Sequence, residues 1–245
     1  MKCVIIAAGQ GTRLRPIARS KPLAPIQGAP LIERVIEAAH LGGATEFVVV
    51  TGYEAEPLEA FLAELSRRRG WPIACVFNPD WAGGNGLSVA AGARTAGERF
   101  LLMMADHLFD PDIVRGLIAG APAEAALTLA VDLRLDNPLV DLDDVTRVAL
   151  GPGARIARIG KHLEPYDAFD TGVFLATSAL VEAIEADAAA GGVASLSAGV
   201  QRLADRGLAA TWDIGARFWL DVDDAVAFEH AEREKARFAG VGSAG

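Results

Sequence analysis

The sequence predicts a single α/β domain whose mixed, mainly parallel sheet carries helices on both faces. Two observations lead there. Short β-branched runs alternate with helix-length amphipathic stretches through the first half, the pattern of right-handed βαβ units. The 245 residues are 51% hydrophobic and 22% charged, the balance of a chain that buries one sizeable core. No linker-like run of Pro, Gly and Ser divides them, and no internal repeat is visible.

Taken in order, Cys3 to Ala7 is a buried-strand run, and Pro30 to Leu41 is an amphipathic helix that stops at Gly42-Gly43. Phe47 to Thr51 is a second strand, followed by a helix from Pro57 to Arg69. Ile73 to Phe77 is a third strand, Leu87 to Ala96 a helix, and Phe100 to Met104 a fourth strand before a helix from Pro111 to Ile118. The second half is less regular. Short strand patterns occur at Ala126 to Val131, Arg147 to Leu150, Arg155 to Ile159 and Thr171 to Ala176, separated by polar loops. Helices are expected at Ser178 to Ala190 and Ser195 to Arg206, then a strand at Leu208 to Trp212. Phe218 to Leu220 leads into a closing helix from Ala225 to Phe238. The domain is expected to span residues 1–239, Rossmann-like in layout, with a frayed tail at 240–245 that lacks periodicity.

With 23 Lys+Arg against 32 Asp+Glu the formal charge is −9, which argues against a nucleic-acid partner, whose phosphates need a basic footprint. No apolar run approaches the ~18 residues of a membrane span, and the N-terminus is too short for a secretory signal. Cys3 and Cys75 each sit in a strand-like run, too few and too far apart for a disulfide framework or a zinc site, so a reduced cytoplasmic setting is expected.

After the first strand comes Gly9-Gln10-Gly11-Thr12-Arg13-Leu14-Arg15-Pro16, then Ser20-Lys21-Pro22-Leu23. Glycines let backbone N–H groups turn toward a ligand, which is how loops hold phosphates. The dinucleotide fingerprint fails, because its third small residue would fall on Leu14. The hydrolase-type phosphate loop fails too, because Lys21 precedes Pro22. What remains is a glycine turn with Arg13, Arg15 and Lys21 around exposed N–H groups. That set suits a triphosphate with a second phosphate brought beside it.

This stretch resembles the signature of the nucleotidyltransferases that make nucleoside-diphosphate sugars and alcohols, with Ser20 where many members have proline. Further blocks follow in order: Asn85-Gly86-Leu87-Ser88, Met104-Ala105-Asp106-His107, Ile159-Gly160-Lys161-His162-Leu163, Phe169-Asp170-Thr171-Gly172-Val173-Phe174 and Trp219-Leu220-Asp221-Val222-Asp223. Together they are similar to the cytidylyltransferase domain that makes CDP-inositol from CTP and inositol 1-phosphate, over about residues 2–230. The best-known members fuse that domain to a membrane-embedded phosphotransferase, which has no counterpart in these residues.

The resemblance implies a nucleotidyltransferase-type fold and a Mg²⁺-dependent attack of a phosphate monoester on the α-phosphorus of CTP, expelling pyrophosphate. Both reactants are anions, so positioning and charge neutralisation dominate. Arg13, Lys21 and Lys161 become the catalytic cations. Ala7, Ala8, Gly9, Gly11, Thr12, Arg13, Lys21, Asn85, Gly86, Ser88 and Asp106 become the nucleotide site. Lys161 is implied to grip the acceptor phosphate, with Tyr166, Asp170 and Thr171 at the polyol hydroxyls. Asp106 ends an apolar strand, where ligands gather at the carboxyl edge of a parallel sheet, and a hard oxygen there suits Mg²⁺. The family pattern favours Asp221 as the second metal carboxylate, while the spacing leaves Asp223 open. Other readings stand beside this one. A sugar 1-phosphate, phosphocholine or phosphonate acceptor would use the same chemistry, and a non-catalytic nucleotide-binding regulator would keep the fold. For Asp106 the plain alternative is a turn or helix cap before Pro111, and for the Asp221–Asp224 cluster it is a helix dipole. Neither the oligomeric state nor the choice of cytosine over uracil is written in these residues.

Overall fold

The computed structural model describes residues 1–234. The expected tail at 240–245, and the last residues of the helix expected to run to Phe238, lie outside the described residues. Strand β1 (Lys2–Ile6) forms because Cys3, Val4 and Ile5 are all fully buried and β-branched or small, and alternate faces bury into two different cores. After the glycine loop comes a two-residue hairpin that the sequence reading missed, β2 (Pro25–Ile26) and β3 (Ala29–Pro30), joined by Gln27 and Gly28 at positive φ. Next come α1 (Leu31–Gly42), β4 (Glu46–Thr51), α2 (Ala55–Arg69), β5 (Ile73–Phe77), α3 (Asn85–Ala93), β6 (Arg99–Met104), β7 (His107–Phe109) and α4 (Pro111–Gly120). The second half adds β8 (Leu127–Asp132), β9 (Arg147–Gly151), β10 (Arg155–Gly160), β11 (Ala168–Thr177), α5 (Ser178–Ala189), α6 (Leu196–Ala204), β12 (Ala209–Asp213), β13 (Trp219–Asp221) and α7 (Ala225–Arg233).

One nine-stranded sheet runs in the order β5-β4-β1-β6-β11-β8-β12-β10-β9. Its first four strands are parallel, as the βαβ alternation requires, and β11 is antiparallel to both its sheet neighbours. The fold is therefore mixed α/β with helices on both faces. One face buries Ile32 and Ile36 of α1, Leu58 and Leu62 of α2, and Ile113 and Leu117 of α4. The other buries Val89 of α3, Leu180 and Ile184 of α5, and Val200 and Leu203 of α6. Each such side chain contributes roughly 1.5–3 kcal/mol on burial.

Three features place the site. Strand order reverses between β1 and β6, so the crevice at their carboxyl ends lies where α/β sheets bind ligands. Strand β7 pairs antiparallel with β13, setting His107 opposite Asp221. A small third core of Leu14, Ile26, Leu31, Leu108, Phe218, Leu220, Val222 and Ala231 ties the glycine loop, the β2–β3 hairpin, the β7–β13 ladder and α7 together.

Beneath this ladder Asp132 is fully buried and accepts from Arg134 Nε at 2.8 Å, Asn137 Nδ2 at 2.9 Å and Trp219 Nε1 at 2.8 Å. Burial alone would raise this carboxyl, but the hydrogen bonds from Arg134, Trp219 and Asn137 outweigh it and hold it below the usual value. Asp132→Ala is expected to cost about 3 kcal/mol by stranding those donors, read as a fall in Tm of about 10 °C. Because the folded pKa is depressed, the contribution exists above about pH 3.9 and is lost as pH falls through the folded value. Acid unfolding of the variant is therefore expected to be less steep in that window.

Candidate active site

The loop after β1 is shaped by two contacts. Gly11 takes φ 57 and opens a 3-10 turn, Thr12–Leu14, whose Leu14 is fully buried. A Cβ built on Gly11 would lie 2.5 Å from the Lys21 Cβ, so glycine is what lets Lys21 pass beneath the loop. Gly9 and Thr12 are exposed, and nothing lies within 4 Å of a Cβ placed on Gly9. Ala7 and Ala8 are buried, with the Ala7 amide donated to Val50 and the Ala8 carbonyl accepting from Tyr53.

Lys21 begins a second 3-10 turn, Lys21–Leu23, and its side chain is only 8% exposed. Its Nζ donates to Asp106 Oδ2 at 2.6 Å and to Asp223 Oδ1. Asp106 follows β6 and also meets His107 Nδ1 through Oδ1 at 2.8 Å. Asp223 pairs in turn with Arg13, and Arg13 Nη2 reaches Asp144 Oδ2 at 2.7 Å. Asp144 pairs with Lys161, which follows β10. The result is a line of alternating charge, Lys161–Asp144–Arg13–Asp223–Lys21–Asp106–His107, drawn from segments far apart in sequence.

His107 and Asp170 are held by a bulge. Between Asp170 and Phe174 the pairing of β11 with β8 shifts register, and Gly172 takes φ 75. A Cβ on Gly172 would meet the His107 ring at 2.5 Å, so the bulge leaves space for that ring. His107 also stacks on Trp219 at 6.3 Å. Burial opposes its charge, but Asp221 and Asp106 overcome this and raise its pKa to about 9. Asp170 moves the other way for a carboxyl: burial pushes it up to about 6, with the Gly172 amide and His107 resisting. Asp106 is desolvated, yet Lys21 and His107 hold it well below the carboxylate range.

Asp221 behaves differently from its neighbours. Its Oδ1 is buried and accepts no hydrogen bond among the described residues, with His107 Nδ1 at 3.8 Å. Burial raises its pKa; His107 opposes this and Asp106 adds to it. Ligand atoms of Asp106, His107 and Asp221 lie within 4.8 Å of one another, as do those of Asp144, Asp221 and Asp223. An unpartnered carboxylate oxygen among hard donors fits a divalent cation such as Mg²⁺. Asp224, next in the chain, instead caps α7 by accepting from the Ala227 amide at 2.8 Å.

A cavity of about 590 Å³ opens over this line, and Arg13, Asn85, Asp106, Lys161, Asp170, Asp221 and Asp223 all face it. Several residues expected at the site are elsewhere. Thr171 is fully buried and its hydroxyl donates to the Ala130 carbonyl at 2.8 Å, so it has no acceptor to meet. Ser88 is buried on α3 and accepts from Asn78 Nδ2 at 3.0 Å. Gly86 is covered by the chain itself, since a Cβ there would sit 2.3 Å from the Ala194 carbonyl. Tyr166 packs on Phe169 at 5.6 Å and under Arg147 at 4.8 Å, outside the cavity lining. Arg15 turns away from the other cations to donate to the Tyr53 hydroxyl at 2.7 Å. Lys21 lies behind Asp106, at a side pocket shared with Ala7 and Gly9. Asp144 escaped the sequence reading entirely, because nothing in the polar run Asp141-Leu142-Asp143-Asp144 marks one carboxylate over another.

A glycine loop at the switch point, buried Lys21 against Asp106, and a cavity lined by Arg13 and Lys161 are what a nucleotidyltransferase needs, and the chain belongs to the family of MobA-like NTP transferase domains, matched over residues 3–196. The bifunctional IPC transferase and DIPP synthase of Rubrobacter xylanophilus is 37% identical over 222 residues, covering 89% of this chain and 48% of that protein. Its counterpart in Aquifex aeolicus is 31% identical over 246 residues, covering 98% and 53%. The chain thus spans about half the length of these curated relatives. Among solved structures, the inositol-1-phosphate CTP transferase from T. maritima superposes with a TM-score of 0.84 at 25% identity, covering 99% of this chain and 98% of that one. A UDP-glucose pyrophosphorylase complexed with UDP-glucose has the same fold, with a TM-score of 0.78 at 18% identity. Among the described residues no helix is long and apolar enough to cross a membrane.

Proposed function

We propose that this chain is a Mg²⁺-dependent cytidylyltransferase that transfers CMP from CTP to inositol 1-phosphate, releasing CDP-inositol and pyrophosphate. The observation that carries the chemistry is the pairing of buried Lys21 with Asp106, which follows β6 and lines one cavity together with Arg13 and Lys161. The acceptor and the base rest on likeness along nearly the whole chain to the inositol-1-phosphate CTP transferase.

In this reading the exposed Gly9–Thr12 loop receives the triphosphate, and Arg13 and Lys21 neutralise it. Asn85 lines the nucleoside side; its side-chain oxygen already holds the Leu196 amide at 2.8 Å. Lys161 grips the acceptor phosphate, and Asp170 accepts from polyol hydroxyls. Asp106 and Asp221 would hold Mg²⁺, which when bound withdraws charge from the reacting phosphates. Asp223 is the weaker second ligand, because Arg13 and Lys21 already occupy it. Charge neutralisation and alignment of two anions supply the acceleration, and no side chain must take a proton from an acceptor already ionised at neutral pH. The two free thiols, Cys3 buried and Cys75 exposed, suit a reducing cytoplasm.

Pyrophosphate release measured over a grid of CTP, UTP, ATP and GTP against inositol 1-phosphate, glucose 1-phosphate and phosphocholine tests the reading. CTP with inositol 1-phosphate is expected to exceed every other pair by at least about tenfold, equivalent to ~1.4 kcal/mol of transition-state discrimination. Faster turnover of a sugar 1-phosphate would reject the acceptor while leaving the family chemistry intact.

A further inference from the structure

Asp144 sits between Arg13 and Lys161 at the edge of the cavity. Its Oδ2 accepts from Arg13 at 2.7 Å and its Oδ1 pairs with Lys161, so one carboxylate binds the two cations that the proposed reaction assigns to phosphates. It is fixed in place: the Asp144 and Val145 amides both donate to the Asp141 carbonyl, at 3.2 and 2.9 Å.

Desolvation does not require this bridge. Lys21 is buried and must have a carboxylate beside it, but the Arg13 and Lys161 side chains are each 51% exposed. Water would solvate both, and exposed ion pairs add little to stability. Holding two long side chains against one carboxylate also costs rotamer freedom. What the bridge does alter is anion binding. Any phosphate entering between Arg13 and Lys161 must displace Asp144 or lie beside its negative charge.

We propose that Asp144 is an internal competitor for substrate phosphates: it weakens binding of the anionic substrates and speeds departure of the anionic products by retaking Arg13 and Lys161 as they leave. A site built from cations alone would hold pyrophosphate tightly and make its release slow, a common limit on turnover. Asp144 keeps the two cations oriented into the cavity between cycles and lowers the affinity of everything that carries phosphate. The inference rests on the reading that Arg13 and Lys161 hold phosphates.

Calorimetric titration of the full chain with inorganic pyrophosphate and, separately, with inositol 1-phosphate tests it. Asp144→Asn is expected to bind both about tenfold more tightly than the unsubstituted chain. The KM values for CTP and acceptor are expected to fall, kcat to fall with them, and pyrophosphate to become a stronger product inhibitor. Asp143→Asn removes the same charge from an exposed neighbour outside the cavity and is expected to leave both affinities unchanged, which separates a local contact from net charge. Equal or weaker binding by Asp144→Asn, or a raised Mg²⁺ requirement marking it as a metal ligand, overturns the inference. Arg13→Gln and Lys161→Gln separate the two levels. If these variants bind both probes normally, the assignment of phosphate cations fails. If they lose affinity while Asp144→Asn gains none, the competitor role alone fails.

Discussion

Lys21→Met is expected to lower kcat by about 10³-fold, the loss seen when a preorganised charge donor is removed from a transition state. Methionine keeps most of the buried stem, so packing survives and the missing element is the charge. The same change is expected to destabilise the substrate-free protein by about 3 kcal/mol, because it leaves Asp106 and Asp223 close together in a desolvated place without their shared cation. Thermal unfolding checks the second effect and pyrophosphate release the first. Added Mg²⁺ is expected to restore part of the lost stability, since a divalent ion can take the place of the ammonium between the carboxylates, but not the rate. Lys21→Arg is expected to rescue neither well. The Gly11 backbone lies directly over the Lys21 stem, and a planar guanidinium is broader than an ammonium.

Asp221→Asn and Asp223→Asn are expected to part company, although the residues are two apart. Asp221 Oδ1 accepts no hydrogen bond among the described residues, and its charge is disfavoured by burial and by Asp106. Neutralising it relieves that burial cost and repulsion at the expense of its attraction to His107, so Tm is expected to change little. Its loss is expected in metal use instead: a half-saturating Mg²⁺ concentration raised by 10-fold or more and kcat lowered by about 10²-fold, as for removal of a metal-orienting group. Asp223→Asn takes a carboxylate from Arg13 and from buried Lys21, and is expected to lower Tm while leaving the Mg²⁺ requirement nearly unchanged. The reverse pattern would exchange the two roles. Magnesium titrations and unfolding curves on the same preparations read both.

The alternating strands and helices were legible because each is long enough to show its period, and β1, β4, β5 and β6 fall within a residue or so of their expected bounds. The β7–β13 ladder was not legible. Three residues on each side show no period, and their pairing is set by the third core beneath them rather than by local preference. The cations and carboxylates assigned to the site, Arg13, Lys21, Asp106, Lys161 and Asp221, were marked by their motifs; the fold brings Arg13, Asp106, Lys161 and Asp221 to one cavity, with Lys21 held behind Asp106. Hydroxyl residues were read less well. Ser88 and Thr171 lie beside motif residues but point into packed interiors, where a neighbouring amide or carbonyl claims them. Arg15 was grouped with Arg13 by proximity, yet in a tight turn residues two apart face different ways, and Arg15 finds Tyr53. Asp144 depends on the folding of a fourteen-residue connection between β8 and β9, residues 133–146, which no local rule specifies.

The central claim is that the α-phosphorus of CTP is joined to the phosphate of inositol 1-phosphate on this chain. Phosphorus NMR of a reaction containing the chain, CTP, inositol 1-phosphate and Mg²⁺ reads that bond directly. The expected result is a new pair of mutually coupled diphosphate resonances, appearing with inorganic pyrophosphate in equal amount as CTP and the monoester disappear. Both are expected to vanish in Lys21→Met. Release of free CMP without a coupled pair, or an unchanged monoester resonance while CTP persists, would contradict the account.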